Sequence, residues 1–185
     1  MAIEASDAAG PRDRLAALGL DYLVVVGLLA GAALVGVGVQ VLGPDLRGSV
    51  LATDLLALAC SVLPVALYLG LTEGGAAQAT WGKRRRGLVV TTVDGRRVGR
   101  GRALARAAVK LLPWQLAHVA VVRLALEVDA PIVVGVTYGA SLLLLVLTLV
   151  LAWRTARHRA LHDLVAGTVV VDAPGPSCRP GGLPA

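Results

Sequence analysis

Phenylalanine is absent from this chain of 185 residues, and tyrosine and tryptophan occur three times each. The abundance of Ala, Gly, Val and Arg is a compositional bias from which no function follows. Cysteine occurs only twice, as Cys60 inside an apolar block and Cys178 in the tail. Two cysteines are too few for a disulfide framework, and no disulfide is expected. Charge is scarce as well: 16% of residues are Asp, Glu, Lys or Arg, against about 25% in soluble globular chains. Hydrophobic residues make up 56%, and the mean hydropathy is +0.74. Enzymatic signatures are missing too. There is no Gly-rich phosphate loop, nucleophile elbow, zinc constellation or HExxH-type motif, so neither an enzyme nor a bound cofactor is expected. His158 and His162 stand four apart, the spacing of a helical metal pair. No third histidine and no cysteine stands near them in the sequence, and no metal is assigned. No internal repeat is visible.

What the chain does have is apolar residues in blocks. A bilayer core of about 30 Å needs about 20 apolar residues as a helix. Tyr22–Leu42 meets this without a charge, Leu55–Leu71 nearly does, and Pro131–Trp153 does again. A cleaved signal peptide is not expected, because "MAIEASDAAGPRDR" is partly acidic and the apolar run after it is too long. The block Ala103–Leu126 is weaker, with Arg106, Lys110, Pro113, Gln115, His118 and Arg123. Hydropathy alone would also allow it to lie flat in the interface.

Charge decides between these. Lys83, Arg84, Arg85, Arg86, Arg96, Arg97, Arg100 and Arg102 crowd the 72–102 segment, and Arg154, Arg157 and Arg159 follow the last block. The other connections carry only Asp45 with Arg47, and Glu127 with Asp129. The positive-inside rule puts the basic segments on the cytoplasmic side, so the stretch between them crosses an even number of times. The expected fold is an all-α membrane protein, a bundle of four transmembrane helices with both termini cytoplasmic. The spans are about 15–42, 51–71, 103–126 and 131–153. A three-span arrangement would put the tail outside against its own charge. Residues 1–11 are read as a flexible N-terminus, 12–172 as the transmembrane domain and 173–185 as a disordered, Pro/Gly-rich tail. Within 80–101, "GLVVTTVDGRRVG" has β-branched residues around an Asp-Gly turn and predicts a cytoplasmic β-hairpin between spans 2 and 3.

Candidate site residues stand out as charges at the edge of oil. Arg14 and Asp21 lie seven residues apart, nearly two helical turns, on one face and about 10 Å apart along the axis. Arg14 can snorkel to phosphates. Asp21 either caps the span or faces the bundle, where a carboxylate is a candidate functional group by default. Asp163 sits among Arg157, His158, Arg159 and His162 in "RTARHRALHDLVAGTVVV". Asp54, before the second span, reads as a helix cap. His118 and Lys110 could face a polar cavity, and Pro64 and Pro113 could kink their helices. Gly27 with Gly31, and Gly135 with Gly139, put small residues on single helix faces, which allows close helix packing.

Together these pieces resemble the RDD family of multi-pass bacterial membrane proteins, named for an arginine and two aspartates. Arg14 and Asp21 in "RLAALGLD" match the Arg and first Asp, and Asp163 in "HDLVAGTVVV" matches the second. Thr80, Gly82, Lys83, Gly87 and Gly95 fall at matching places in "TEGGAAQATWGKRRRGLVVTTVDGRRVG", and Arg106 is similar to an arginine that often begins the next helix. The resemblance covers roughly residues 12–172. The chain departs from the family in its lack of Phe and its weakly apolar third span. The resemblance implies a plasma-membrane location and a presumed transport-related role, cation/proton antiport having been proposed within the family.

Two functional expectations follow. In one, a transport-related protein moves a small cation or proton through the polar site Arg14, Asp21 and Asp163, with His162, Asp54, Lys83 and Arg106 in support. Four spans are few for this, which implies a homo-oligomer. In the other, the same residues clasp helices and fix topology in a structural or accessory membrane protein. Partners expected are the bilayer itself, with anionic lipid at Lys83–Arg86 and Arg154–Arg159. "KRRR" directly follows a span and has no binding fold around it, so nucleic acid is not a partner.

Overall fold

The computed structural model describes residues 8–43 and 49–173. Cys178, Asp45, Arg47, residues 1–7 and all of the tail but Ala173 lie outside the described residues. Helix α1 runs Pro11–Leu42. Gly10, in extended backbone, precedes Pro11 at the first helical position, where the missing N–H has no helical partner to lose. Its 32 residues reach about 48 Å at 1.5 Å per residue, longer than a hydrocarbon core needs.

The second span is α2 (Val50–Ala57) and α3 (Leu63–Glu73), joined without a break by a π-helical turn at Leu58–Val62. Ser49 caps it, its hydroxyl oxygen accepting from the Ala52 N–H at 3.2 Å. Pro64 explains the π turn. It cannot donate to the Cys60 carbonyl and its ring would press on that group, so widening the preceding turn relieves the clash. The third span, α5 (Arg100–Ala125), and the fourth, α6 (Pro131–Arg154), complete a set of four helices, among the described residues, long and apolar enough to cross a membrane. Pro113 stays inside an unbroken α5, and its carbonyl accepts from the Ser141 hydroxyl at 2.7 Å.

The least apolar span is the central one. Helix α5 packs on α3 along one side and α6 along another, so its polar residues face protein. Between the second and third spans lie α4 (Trp81–Arg85) and β1 (Leu88–Thr92). After α6 come α7 (Leu161–Ala166) and β2 (Thr168–Asp172), separated by Gly167 in the left-handed conformation, φ 61°. Strands β1 and β2 pair antiparallel, Leu88 opposite Asp172 and Thr92 opposite Thr168. Ala8 bridges to Val171 on the other edge of β2, and the Ala9 N–H donates to the Val170 carbonyl at 3.1 Å. Ala9, Ala17, Leu88, Val90, Val98, Ala103 and Val170 form the core at this sheet end of the bundle.

Two expectations need correction here. The predicted local hairpin is reduced to its turn: the Thr92 N–H donates to the Arg96 carbonyl at 3.0 Å, and one bridge joins Thr91 to Arg97. The return segment meets the start of α5 too soon to extend the ladder, while "TVVVD" supplies five paired positions. Residues 8–10, assigned to a flexible N-terminus, are held against β2, and Ala9 is fully buried.

The close-packing glycines are also others than expected. Space is open around Gly27, Gly31, Gly135 and Gly139, because no helix among the described residues crosses them. A Cβ at Gly70 would instead lie 2.5 Å from Leu104, and one at Gly82 would collide with the Ala17 carbonyl and the Asp21 carboxylate. Gly70 thus lets α3 approach α5, and Gly82 lets α4 lie on α1. Gly82→Val is therefore expected to lower the folded, monodisperse fraction after solubilisation, overpacking costing about 1–3 kcal/mol. Gly31→Ala should leave that fraction unchanged or raise it. Size-exclusion profiles of the two variants test the pair.

Candidate functional site

At the sheet end, five charged side chains form one chain of alternating sign. Arg14, one turn into α1, donates from Nη2 to Asp163 Oδ2 at 3.0 Å and also donates to the His158 carbonyl. Asp163, third residue of α7, accepts at Oδ1 from Arg106 Nη2 at 2.8 Å and Nε at 3.0 Å. Arg106, near the start of α5, also pairs with Glu73 at the end of α3, and Glu73 pairs in turn with Lys83 of α4. The order Arg14–Asp163–Arg106–Glu73–Lys83 ties five helices together. Glu73 and Asp163 are fully buried and Arg106 is 2% exposed.

Asp163 is saturated. Besides both arginines it accepts from the Thr168 hydroxyl at 3.1 Å and from the Ala160 N–H at 3.2 Å, so it also caps its own helix. Burial alone would raise its pKa, but the charges of Arg106 and Arg14 and their hydrogen bonds hold it well below the usual carboxylate range. Burial lowers the Lys83 ammonium, an effect that Glu73 opposes. Burial, with Arg106 beside it, pushes His162 well below its ordinary value, so its imidazole is neutral at pH 7. His162 Nε2 lies 3.7 Å from Asp163 Oδ2.

Asp21 belongs to a second set. The helix begins ten residues before it, so it is not a cap; it faces the bundle and is 6% exposed. Its carboxylate accepts from the Tyr68 hydroxyl at 2.8 Å, from the Gly82 N–H at 2.8 Å and from the Thr80 hydroxyl. Tyr68 also accepts from the Trp81 N–H at 3.1 Å, and Thr80 caps α4 through the Lys83 N–H. The two sets therefore meet on α4. Arg14 and Asp21, on one face of α1, serve different partners.

Two cavities adjoin these charges. The first, about 200 Å³ and partly open, is lined by Arg14, Asp21, Lys83, Arg106, Lys110 and His162 together with apolar residues of α1 and α6. The second, about 140 Å³, lies deeper between α1, α3 and α5 and ends at Ser61 and Trp114. Leu18, Asp21 and Lys110 line both. Beyond the second cavity, Ser61 Oγ is 3.1 Å from His118 Nε2. His118 Nδ1 faces the Trp114 carbonyl at 2.9 Å and so carries a hydrogen, which leaves Nε2 to accept. The Ser61 hydroxyl thus has two acceptors in reach, His118 and the Ala57 carbonyl at 2.6 Å.

The other predicted residues divide as follows. Asp54 is not the cap; Ser49 is, and Asp54 pairs with Arg123 at 2.8 Å near the far end of the bundle. Lys83 turns inward onto Glu73, away from lipid, leaving Arg84, Arg85 and Arg86 exposed. Arg85 lies over the Trp81 ring at 5.4 Å, and Arg86 pairs with Asp13. His158 stands in a turn before α7 at φ 50°, so it shares no helical face with His162. Glu73 and Tyr68 went unrecognised in the sequence. The signal for Glu73 was a lone carboxylate closing an otherwise apolar span.

Asp163→Ala leaves two arginines without their shared counter-charge, and a destabilisation of about 3–5 kcal/mol is expected. The folded-state pKa of Asp163 lies below its ordinary 3.8, so its contribution is complete above that value and is lost as pH falls below it. The stability gap between wild type and Asp163→Asn should therefore be wide at neutral pH and narrow below about pH 4. Thermal unfolding in detergent, followed across pH, measures this.

A family model described as the RDD family matches residues 8–167. No curated protein and no solved structure matches the chain. The matched stretch contains Arg14, Asp21 and Asp163 and every helix from α1 to α7, and ends just before strand β2. With so much of its length accounted for, the protein belongs to the RDD family, a family of membrane-associated proteins.

Proposed function

We propose that this protein is a non-enzymatic, transport-related component of the plasma membrane, with its sheet end and both termini cytoplasmic, and that it moves a proton. The observation that carries this reading is the meeting of two cavities at Asp21 and Lys110. Titratable or hydroxyl groups continue from there as Ser61 and His118, and then as Arg123 with Asp54. The cations around the first cavity disfavour a metal cation, so of the two expected cargoes the proton fits better. The Ser61 hydroxyl, with two acceptors within reach, and the π turn beneath it suit a proton relay; π turns often occur at functional positions. Four spans are few, and the open faces at Gly27 and Gly31 on α1 and Gly135 and Gly139 on α6 suit a homo-oligomer. The exposed arginines Arg84, Arg85 and Arg86, with Arg154, favour anionic lipid on the cytoplasmic leaflet.

A second reading rests on the saturation of Asp163. A carboxylate with this many donors has little room for a cargo. In that reading the alternating chain is purely a clasp, and the protein is a structural or accessory membrane component. The two readings can share one molecule, the clasp holding the helices around the Asp21–Lys110 junction.

Reconstituted vesicles with an internal pH-sensitive dye and an imposed proton gradient test the transport reading. Asp21→Asn and Lys110→Met are expected to retain folded protein and to slow the flux on the order of tenfold or more. Unchanged flux in both variants, or no flux above empty vesicles in wild type, would leave the clasp alone.

A further inference from the structure

The first cavity opens between α1 and α6, two helices that do not pack on one another along their lengths. Leu15 and Leu18 of α1 and Leu149 and Trp153 of α6 line it, and all four are exposed on the bundle surface, where lipid lies. The mouth is formed by the first turns of α1 and the last turn of α6. Trp153 followed by Arg154 marks headgroup depth, where tryptophan and arginine side chains settle. The opening is thus lateral, apolar and at the level of lipid phosphates.

The inner wall is different. Four cations, Arg14, Lys83, Arg106 and Lys110, line the cavity. Three carboxylates stand with them, and two of these, Glu73 and Asp163, are taken up by Arg14, Arg106 and Lys83. The third, Asp21, accepts from Tyr68, Thr80 and Gly82. The sum leaves one positive charge. Lys110 has no hydrogen bond or ion pair among the described residues. His162, 9% exposed, lines the same cavity, and its Nδ1 is buried without a hydrogen-bond partner. A surplus cation therefore borders this space, while the unpartnered Nδ1 of His162 is buried behind its wall.

We propose that this cavity binds the headgroup phosphate of an anionic phospholipid, with the acyl chains lying outside along α1 and α6. A phosphodiester carries one negative charge, which matches the surplus. Its oxygens can accept from the Lys110 ammonium. A volume of about 200 Å³ takes a headgroup and not a whole lipid, which is why the tails must leave by the apolar gap. Free phosphate would meet the same cations but would gain nothing from the leucines and tryptophan at the mouth. This site differs from general attraction at the surface arginines, because it is one defined cavity with a lateral opening. It also stands whether or not the protein moves protons.

The full chain, purified in mild detergent, is delipidated and exchanged into nanodiscs of phosphatidylcholine alone or with added phosphatidylglycerol. Native mass spectrometry counts retained lipid, and thermal unfolding reads the effect of binding. Wild type should hold one phosphatidylglycerol per chain and unfold at a higher temperature when that lipid is present. Lys110→Met, which removes an unpaired cation, and Ala152→Trp, which fills the cavity from a position on α6 that lines it beside Trp153, should each weaken retention about tenfold or more. Arg154→Ala should retain the lipid. Equal stabilisation by inorganic phosphate in phosphatidylcholine discs would overturn the lipid as source. Equal retention of phosphatidylcholine, or undiminished retention in both the Ala152→Trp and Lys110→Met variants, would overturn the site.

Discussion

The fold depends on one requirement: Asp163, buried completely, must be neutralised by groups from helices far away in sequence. An isolated ionised carboxylate in an apolar interior is prohibitively costly, and a buried pair is tolerated only with good geometry and full hydrogen bonding. Asp163 has both, from Arg14 and Arg106, and Arg106 in turn needs Glu73, which needs Lys83. Each ion fixes the position of the next. The net stabilisation from such a chain is modest, because desolvation offsets attraction. Its effect is specificity: few other arrangements of these helices leave every charge in the chain paired.

This explains why α5 can be both the least apolar span and the central one. Arg106, Lys110, His118 and Arg123 would be costly against lipid. Each finds its place because α2, α3, α6 and α7 pack against that helix. Hydropathy and packing are therefore two views of the same fact, and the helix that lipid would reject is the one the protein encloses. The same enclosure creates the cavities, since long charged side chains meeting short apolar ones do not fill space evenly.

Much of this was legible in the sequence. Block lengths were enough for four helices long and apolar enough to cross a membrane, and an even number of passes between the basic segments was enough to expect Arg14 and Asp163 at one end, where they pair. Spacing between charges and spans, a one-dimensional quantity, carries that information. What escaped was information held in three dimensions. The Asp-Gly turn of 92–96 is a local signal and forms as read, but the ladder goes to β2, about 80 residues on, because pairing strength depends on the partner and not on the turn alone. Asp54 looked like a cap by position, yet Ser49 occupies the cap and Arg123, which the sequence showed only as a charge in the weak span, claims the carboxylate. The Gly-x-x-x-Gly motifs mark where a helix could come close, and Gly70 and Gly82 show that closeness arises only where a neighbour exists. Glu73 had no motif to announce it.

The sheet carries a consequence for how the protein is made. Strand β2 joins Ala8 and Ala9 on one edge to β1 on the other, so the start, middle and last part of the described chain are fastened by five residues that leave the ribosome after all four spans. Until then β1 has an open edge and Arg106 lacks one of its two acid partners. Membrane insertion and final closure are thus separate events in time. The last strand acts as a latch, and a chain whose fourth helix has failed to insert cannot deliver Asp163 and β2 to where the latch engages.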